Sequence, residues 1–155
     1  MTDANSNSTA AAPTDTFTTP YEILGDAGIR RLAEAFYAIM DTLPEAADIR
    51  AMHAADLGHV TRMLAAYLTQ WMGGPPVYLA LKGSVCLTAP HEAYRIGRKE
   101  RDAWLRCMDL ALERVGASEQ LKTMLHEPLR RVADAVRNDE DGDARARGPD
   151  IIAVG

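Results

Sequence analysis

The sequence predicts an all-α domain between two polar tails, on three observations. Large apolar residues recur at helical spacing in separate segments. The breaks between these segments carry cap residues, glycine and proline. No stretch alternates polar and apolar side chains with the period of two that a half-buried strand requires.

Residues 1–19 are Thr, Ser, Ala, Asn and Asp with almost no large apolar groups, so they cannot offset the entropy of ordering and read as a disordered tail. A globular domain is expected over 20–137. Its first helix shows as Ile29, Leu32, Ala33, Phe36, Tyr37 and Met40, with Asp26 placed to cap it and Pro44 to close it. The second shows as Val60, Met63, Leu64, Tyr67, Leu68 and Trp71, capped by Asp56 and stopped by Gly73, Gly74, Pro75 and Pro76. A third follows the same rhythm through Trp104, Cys107, Met108, Ala111, Leu112 and Val115. Gly116 and Ser118 separate it from a fourth, Leu121, Leu125, Leu129, Val132 and Val136, in which Pro128 is expected to kink the helix or start a new one. Met63, Met108 and Met124 read as core filler and His126 as surface.

Residues 75–97 are left as a long connection with at most short helical pieces. It contains Val77, Tyr78, Leu79, Leu81, Val85, Leu87, Tyr94 and Ile96, so a packing partner is expected against it. Residues 138–155 are charge, Gly and Pro around a short apolar IIAV and read as a flexible tail.

A chain of 155 residues, 47% hydrophobic and 25% charged, is sized for one domain with a real core. The formal net charge of −5 offers no basic footprint for nucleic acid or an anionic membrane. The start has no basic flank and apolar core of a secretory signal, and no run of about 18 apolar residues follows, so the expected place is the cytoplasm. There Cys86 and Cys107 are expected to stay reduced and buried.

Catalytic motifs are few. The chain has no G-x-S-x-G, no Gly-rich phosphate loop, no C-x-x-C and no H-E-x-x-H. His53 and His59 are six apart and share no helical face. His91, in CLTAPHEAYRIG, follows Pro90 and precedes apolar Tyr94 and Ile96. A single imidazole in aromatic, helical surroundings is one way to hold a haem iron. Residue chemistry alone leaves that reading open beside a partly exposed loop histidine, and favours the latter. Tyr37 and Trp104 would likewise be plain core residues in any helical bundle.

Five blocks, TPYEILG (19–25), FYAIMDTLPEAADIRAMH (36–53), YLTQWMGGPPVY (67–78), APHEAYRIG (89–97) and ERDAWLRCM (100–108), shift that balance. In order and spacing the sequence resembles the truncated haemoglobins of the second group over about residues 19–135. The resemblance implies a globin-like two-over-two helical sandwich around haem b, protoporphyrin IX iron, with the second helix stopped by GGPP so that the chain can turn beneath the cofactor. It makes His91 the proximal iron ligand. Tyr37 and Trp104 become distal hydrogen-bond donors, and His53 a distal-rim residue bonding Tyr37 or the ligand. Val60 and Leu64 become a dry wall, Arg62 a propionate partner, and Tyr94 and Ile96 the apolar support behind the histidine.

Thr88–Ile96 departs from the family stretch R-x-R-H-x-P-F-x-I by lacking both arginines, for which Lys82, Arg95 and Arg98 are the candidate substitutes. The implied function is reversible binding of O2, NO and CO, in the sense of oxygen transport. Two other classes remain: an NO dioxygenase or peroxidase-like enzyme served by a reductase, and a haem-poor globin-fold sensor or interaction domain. A monomer or a homodimer is compatible with all three.

Overall fold

The structure is a computed structural model and describes residues 18–139. Residues 1–17 and 140–155, which hold most of the two predicted tails, lie outside the described residues. The order is α1 (Pro20–Thr42), a 3-10 turn (Pro44–Ala46), α2 (Ala47–Ala51), α3 (Gly58–Trp71), α4 (Val77–Lys82), α5 (Thr88–His91), α6 (Arg98–Arg114) and α7 (Glu119–Ala135). Among the described residues there is no strand.

Two helices face two. α1 packs against α3 on one side and α6 on the other, and α7 folds back on α6 and reaches α1. The stripes that the periodicity marks are the ones that meet. Ile29, Leu32, Phe36 and Met40 from α1, Leu68 from α3, Cys107, Met108 and Ala111 from α6, and Leu121 and Leu125 from α7 are all at most 1% exposed. Met63 and Met124 are half-buried and His126 is exposed.

Helix α1 starts earlier than Asp26. Thr19 caps it by accepting from the Glu22 amide at 3.1 Å, and the Glu22 carboxylate accepts from the Thr19 amide at 3.2 Å. Gly25, at φ 65° and ψ 175°, then breaks the helical line and Asp26 begins it afresh. Asp26 therefore lies at an interior kink, where its carboxylate accepts from the Tyr21 hydroxyl at 3.0 Å. Asp56 lies one residue before the cap position of α3 and accepts from the Gly58 amide at 2.8 Å.

Pro128 does not interrupt α7. The helix runs through it from Glu119 to Ala135, because Leu121, Leu125, Leu129 and Ala133 bury one continuous face on both sides of the proline. That burial outweighs the single missing backbone bond. Ser118 caps α7 by accepting from the Leu121 amide at 3.2 Å. Cys86 is also placed differently from expectation: it is an exposed free thiol, whereas Cys107 is a buried one.

The long connection resolves into α4, α5 and loops. Tyr78, Tyr94 and Ile96 are buried, but Leu79, Leu81 and Val85 are 44%, 62% and 53% exposed, so only part of the apolar surface there has found a packing partner.

The GGPP stop has a packing reason. The first turn of α1 docks on it: the Tyr21 amide donates to the Met72 carbonyl at 3.1 Å, and the Gly74 amide donates to that of Thr69 at 2.8 Å. A Cβ on Gly74 would lie 2.6 Å from Tyr21 Cδ2 and 2.7 Å from the Thr69 carbonyl oxygen, closer than real atoms approach. Gly74→Ala is therefore expected to lower the urea midpoint, by the equivalent of about 1–3 kcal/mol, with an unchanged denaturant slope.

Candidate functional site

Helix α5 is four residues long, too short to be stable by its own backbone bonds. His91 ends it. Its ring Nδ1 lies within hydrogen-bond distance of the Leu87 carbonyl one turn back. A carbonyl only accepts, so Nδ1 carries the proton and Nε2 of the neutral ring keeps its lone pair. Among the described residues Nε2 has no partner. The ring is half-buried, with Tyr94 and Ile96 buried just beyond it at 9% and 8% exposure.

Four rings from three parts of the chain form a continuous row. Trp104 of α6 lies 5.3 Å from Phe36 of α1, centroid to centroid and tilted by 58°. Phe36 meets Tyr37 edge-on at 5.0 Å, and Tyr37 meets His53 edge-on at 5.6 Å. Phe36 is fully buried, Tyr37 is 9% exposed, and Trp104 and His53 are half-buried. The row follows from sequence locally: adjacent positions 36 and 37 point at different neighbours, one toward α6 and one toward the turn after α2.

Among the described residues neither the Tyr37 hydroxyl nor the Trp104 indole N–H has a hydrogen-bond partner. Burial pushes the Tyr37 hydroxyl above the usual tyrosine range, so it stays protonated and able to donate at neutral pH. The expected bond between His53 and Tyr37 is not formed. His53 instead donates from Nδ1 to the Ile49 carbonyl at 2.7 Å and presents only its ring edge to the tyrosine.

Burial holds the His53 pKa below the ordinary histidine value. The bond to Ile49 works in the opposite direction, and the charges of Arg50 and His91 lower it further. The contribution of His91 puts the two imidazoles within electrostatic reach of one another. Arg50 also fixes the turn that follows His53, donating to the Asp41 carboxylate at 2.8 Å and to the Ala54 and Ala55 carbonyls at 3.0 and 3.1 Å. Sequence reasoning missed Arg50, since nothing in its spacing announces two backbone acceptors and one carboxylate nine residues upstream.

On α3, Val60 and Leu64 are half-buried against the core beside Tyr67 and Trp71, a face without polar side-chain groups at the first two positions. Tyr67 meets Tyr78 of α4 edge-on at 5.3 Å. Arg62 is exposed and, among the described residues, in no ion pair. Of the substitutes for the missing proximal arginines, Arg95 is committed elsewhere: its guanidinium pairs with Asp139. Lys82 and Arg98 are exposed.

Residues 19–138 match the family model of the bacterial-like globins. This chain belongs to that family. It is 30% identical over 130 residues to the group 2 truncated haemoglobin YjbI of Bacillus subtilis, covering 84% of this chain and 96% of that protein. Among solved structures, the group II 2-on-2 haemoglobin of Agrobacterium tumefaciens is 39% identical with a TM-score of 0.75, covering 83% of this chain and 99% of that one. The truncated oxygen-avid haemoglobin of Bacillus subtilis is 30% identical with a TM-score of 0.72, covering 78% and 100%. The all-helical two-over-two arrangement is thus that of the truncated haemoglobins of the second group, and the family implies a haem cofactor.

In this globin the lowered His53 pKa has a definite sign. Above the unfolded-state value of about 6.5 the ring is neutral folded and unfolded alike; below it the unfolded chain takes up a proton that the folded ring resists. The stability present above that pH is lost as pH falls toward the folded pKa. Urea midpoints at about pH 7.5 and 5.5 are expected to fall with acid in the parent protein and to fall less in His53→Phe.

Proposed function

We propose that this globin binds haem b through His91 Nε2 and reversibly takes up O2, NO and CO, with Tyr37, Trp104 and His53 serving the distal side. The observation that carries the reading is the His91 tautomer: an Nδ1–H tied to a backbone carbonyl leaves the other nitrogen as an oriented, unprotonated donor, the arrangement metal-ligating histidines adopt.

The surrounding residues fit the cofactor. A porphyrin iron asks the chain for a single nitrogen, and His91 offers one where, among the described residues, no three His, Cys, Asp or Glu side chains converge. The half-buried Val60, Leu64, Tyr67 and Trp104 supply apolar and aromatic walls for such a ring. With only Cys86 and Cys107 in the chain there is no C-x-x-C-H for covalent attachment, which favours haem b. Arg62 is free to meet a propionate. Arg95 is not, so retention rests more on His91 and the apolar walls than on charge.

When bound, the haem supplies an iron able to take a diatomic ligand on the face opposite the histidine. The chain supplies the rest. The Tyr37 hydroxyl and Trp104 N–H are donors with no other partner among the described residues, and they favour ligands that gather negative charge over those that do not. His53, kept neutral by burial, adds a further nitrogen at the rim. Val60 and Leu64 exclude water, which strengthens both donors. The free thiols Cys86 and Cys107 suit a reducing cytoplasm.

Absorption spectra of ferric, ferrous and CO-bound protein test the reading. His91→Ala is expected to abolish stable haem incorporation, and a mutant that keeps the full Soret band overturns the assignment. Trp104→Phe is expected to retain haem and release O2 about tenfold faster, the loss of one hydrogen bond to a charged acceptor. Tyr37→Phe acts in the same direction. Stopped-flow O2 dissociation reads both.

A further inference from the structure

The segment between α5 and α6 is held from outside by the residues that follow α7. Asn138 Nδ2 donates to the Tyr94 carbonyl at 2.6 Å and to the His91 carbonyl at 3.1 Å, while its Oδ1 accepts from the Ile96 amide at 2.9 Å. The backbone joins in: the Asn138 and Asp139 amides donate to the Ile96 carbonyl at 2.9 and 3.2 Å. Asp139 also forms the ion pair with Arg95. The sequence reading puts both residues in the flexible tail, yet they bind four residues of the segment that carries the histidine.

A one-turn helix leaves its last carbonyls without intrahelical donors. The His91 carbonyl receives the Tyr94 amide at 3.0 Å and the Asn138 side chain. The side chain of residue 91 is fixed through Leu87 and its main chain through Asn138, so ring and backbone are anchored independently. No other amino acid offers two donors and an acceptor at this reach from the backbone: Asp lacks the donors, Ser the span, and Gln adds a methylene.

We propose that Asn138 is the positioning residue of the proximal histidine, setting the height and tilt of the His91 ring by clamping the chain on its C-terminal side. This rests on His91 being the iron ligand. The clamp makes the end of α7 part of the site: a residue 47 positions along the chain from His91 governs the bond that His91 makes.

The test uses the haem-loaded full chain. In Asn138→Ala the iron–histidine stretching band of the ferrous form, read by resonance Raman, is expected to shift. The Ile96 amide should exchange with solvent about tenfold faster, the equivalent of one hydrogen bond. Asn138→Asp keeps the acceptor for Ile96 but loses both donors, so it should restore slow Ile96 exchange without restoring the band. Asp134→Asn is the control. It takes the charge out of the 2.6 Å bond to Arg101 that ties α7 to α6 elsewhere, weakening it, and should lower stability while leaving the band in place. A band unmoved in Asn138→Ala, or moved equally in Asp134→Asn, overturns the proposal. Haem and band surviving His91→Ala would instead overturn the ligand assignment, and the Ile96 exchange rates would still report whether the clamp exists.

Discussion

A hydrogen bond from an imidazole nitrogen to the carbonyl one turn back is the contact on which the site depends. Without it the His91 ring would be free to rotate and to exchange tautomers, and neither nitrogen would be held as the unprotonated one. The bond needs a turn of helix to bring position 87 under position 91, and α5 is only that one turn. Everything adjacent supports a helix that could not persist alone: buried Tyr94 and Ile96 seat it, and the chain after α7 closes it off.

The aromatic row is arranged by different means. Helix α1 lies against both α3 and α6, and its neighbouring residues Phe36 and Tyr37 turn this central position into a ring-to-ring path from Trp104 to His53. Edge-on contacts fix ring orientation without consuming the polar atoms at the rims. Tyr37 and Trp104 are thus held by packing and keep their donors uncommitted. Burial does a second service by keeping Tyr37 protonated and favouring neutral His53, so that the row presents polarity without charge.

Much of this was legible in the sequence because helices announce themselves every three or four residues. The stripes of α1, α6 and α7 supply most of the buried core, that of α3 is buried at Leu68 and half-buried elsewhere, and the break read at Gly116 and Ser118 falls between α6 and α7. Features that depend on distant partners were not legible. Asp26 reads as a cap, but Gly25 and the Tyr21 hydroxyl make it part of a kink. Pro128 reads as a break, but the face of α7 is buried on both sides of it. The glycines after Trp71 read as a stop, while the reason for Gly74 is a tyrosine 53 positions earlier. Arg95 reads as a free cation until Asp139 comes beside it. The family blocks pointed to His91, Tyr37 and Trp104, yet neither blocks nor periodicity pointed to the roles of Arg50 or Asn138, most of whose bonds go to backbone atoms that any residue would offer.

The uncovered leucines of α4 and the loop after it bear on how the molecule breathes. Free energies of local opening follow the density of buried contacts, and Leu79, Leu81 and Val85 contribute few. The corner where the start of α1 is strapped to the end of α3 is far denser. Fluctuations should therefore hinge at that corner and part the molecule along the α4–α5 flank. Opening there would loosen the one turn that carries His91, while the row of rings from Trp104 to His53 stays assembled.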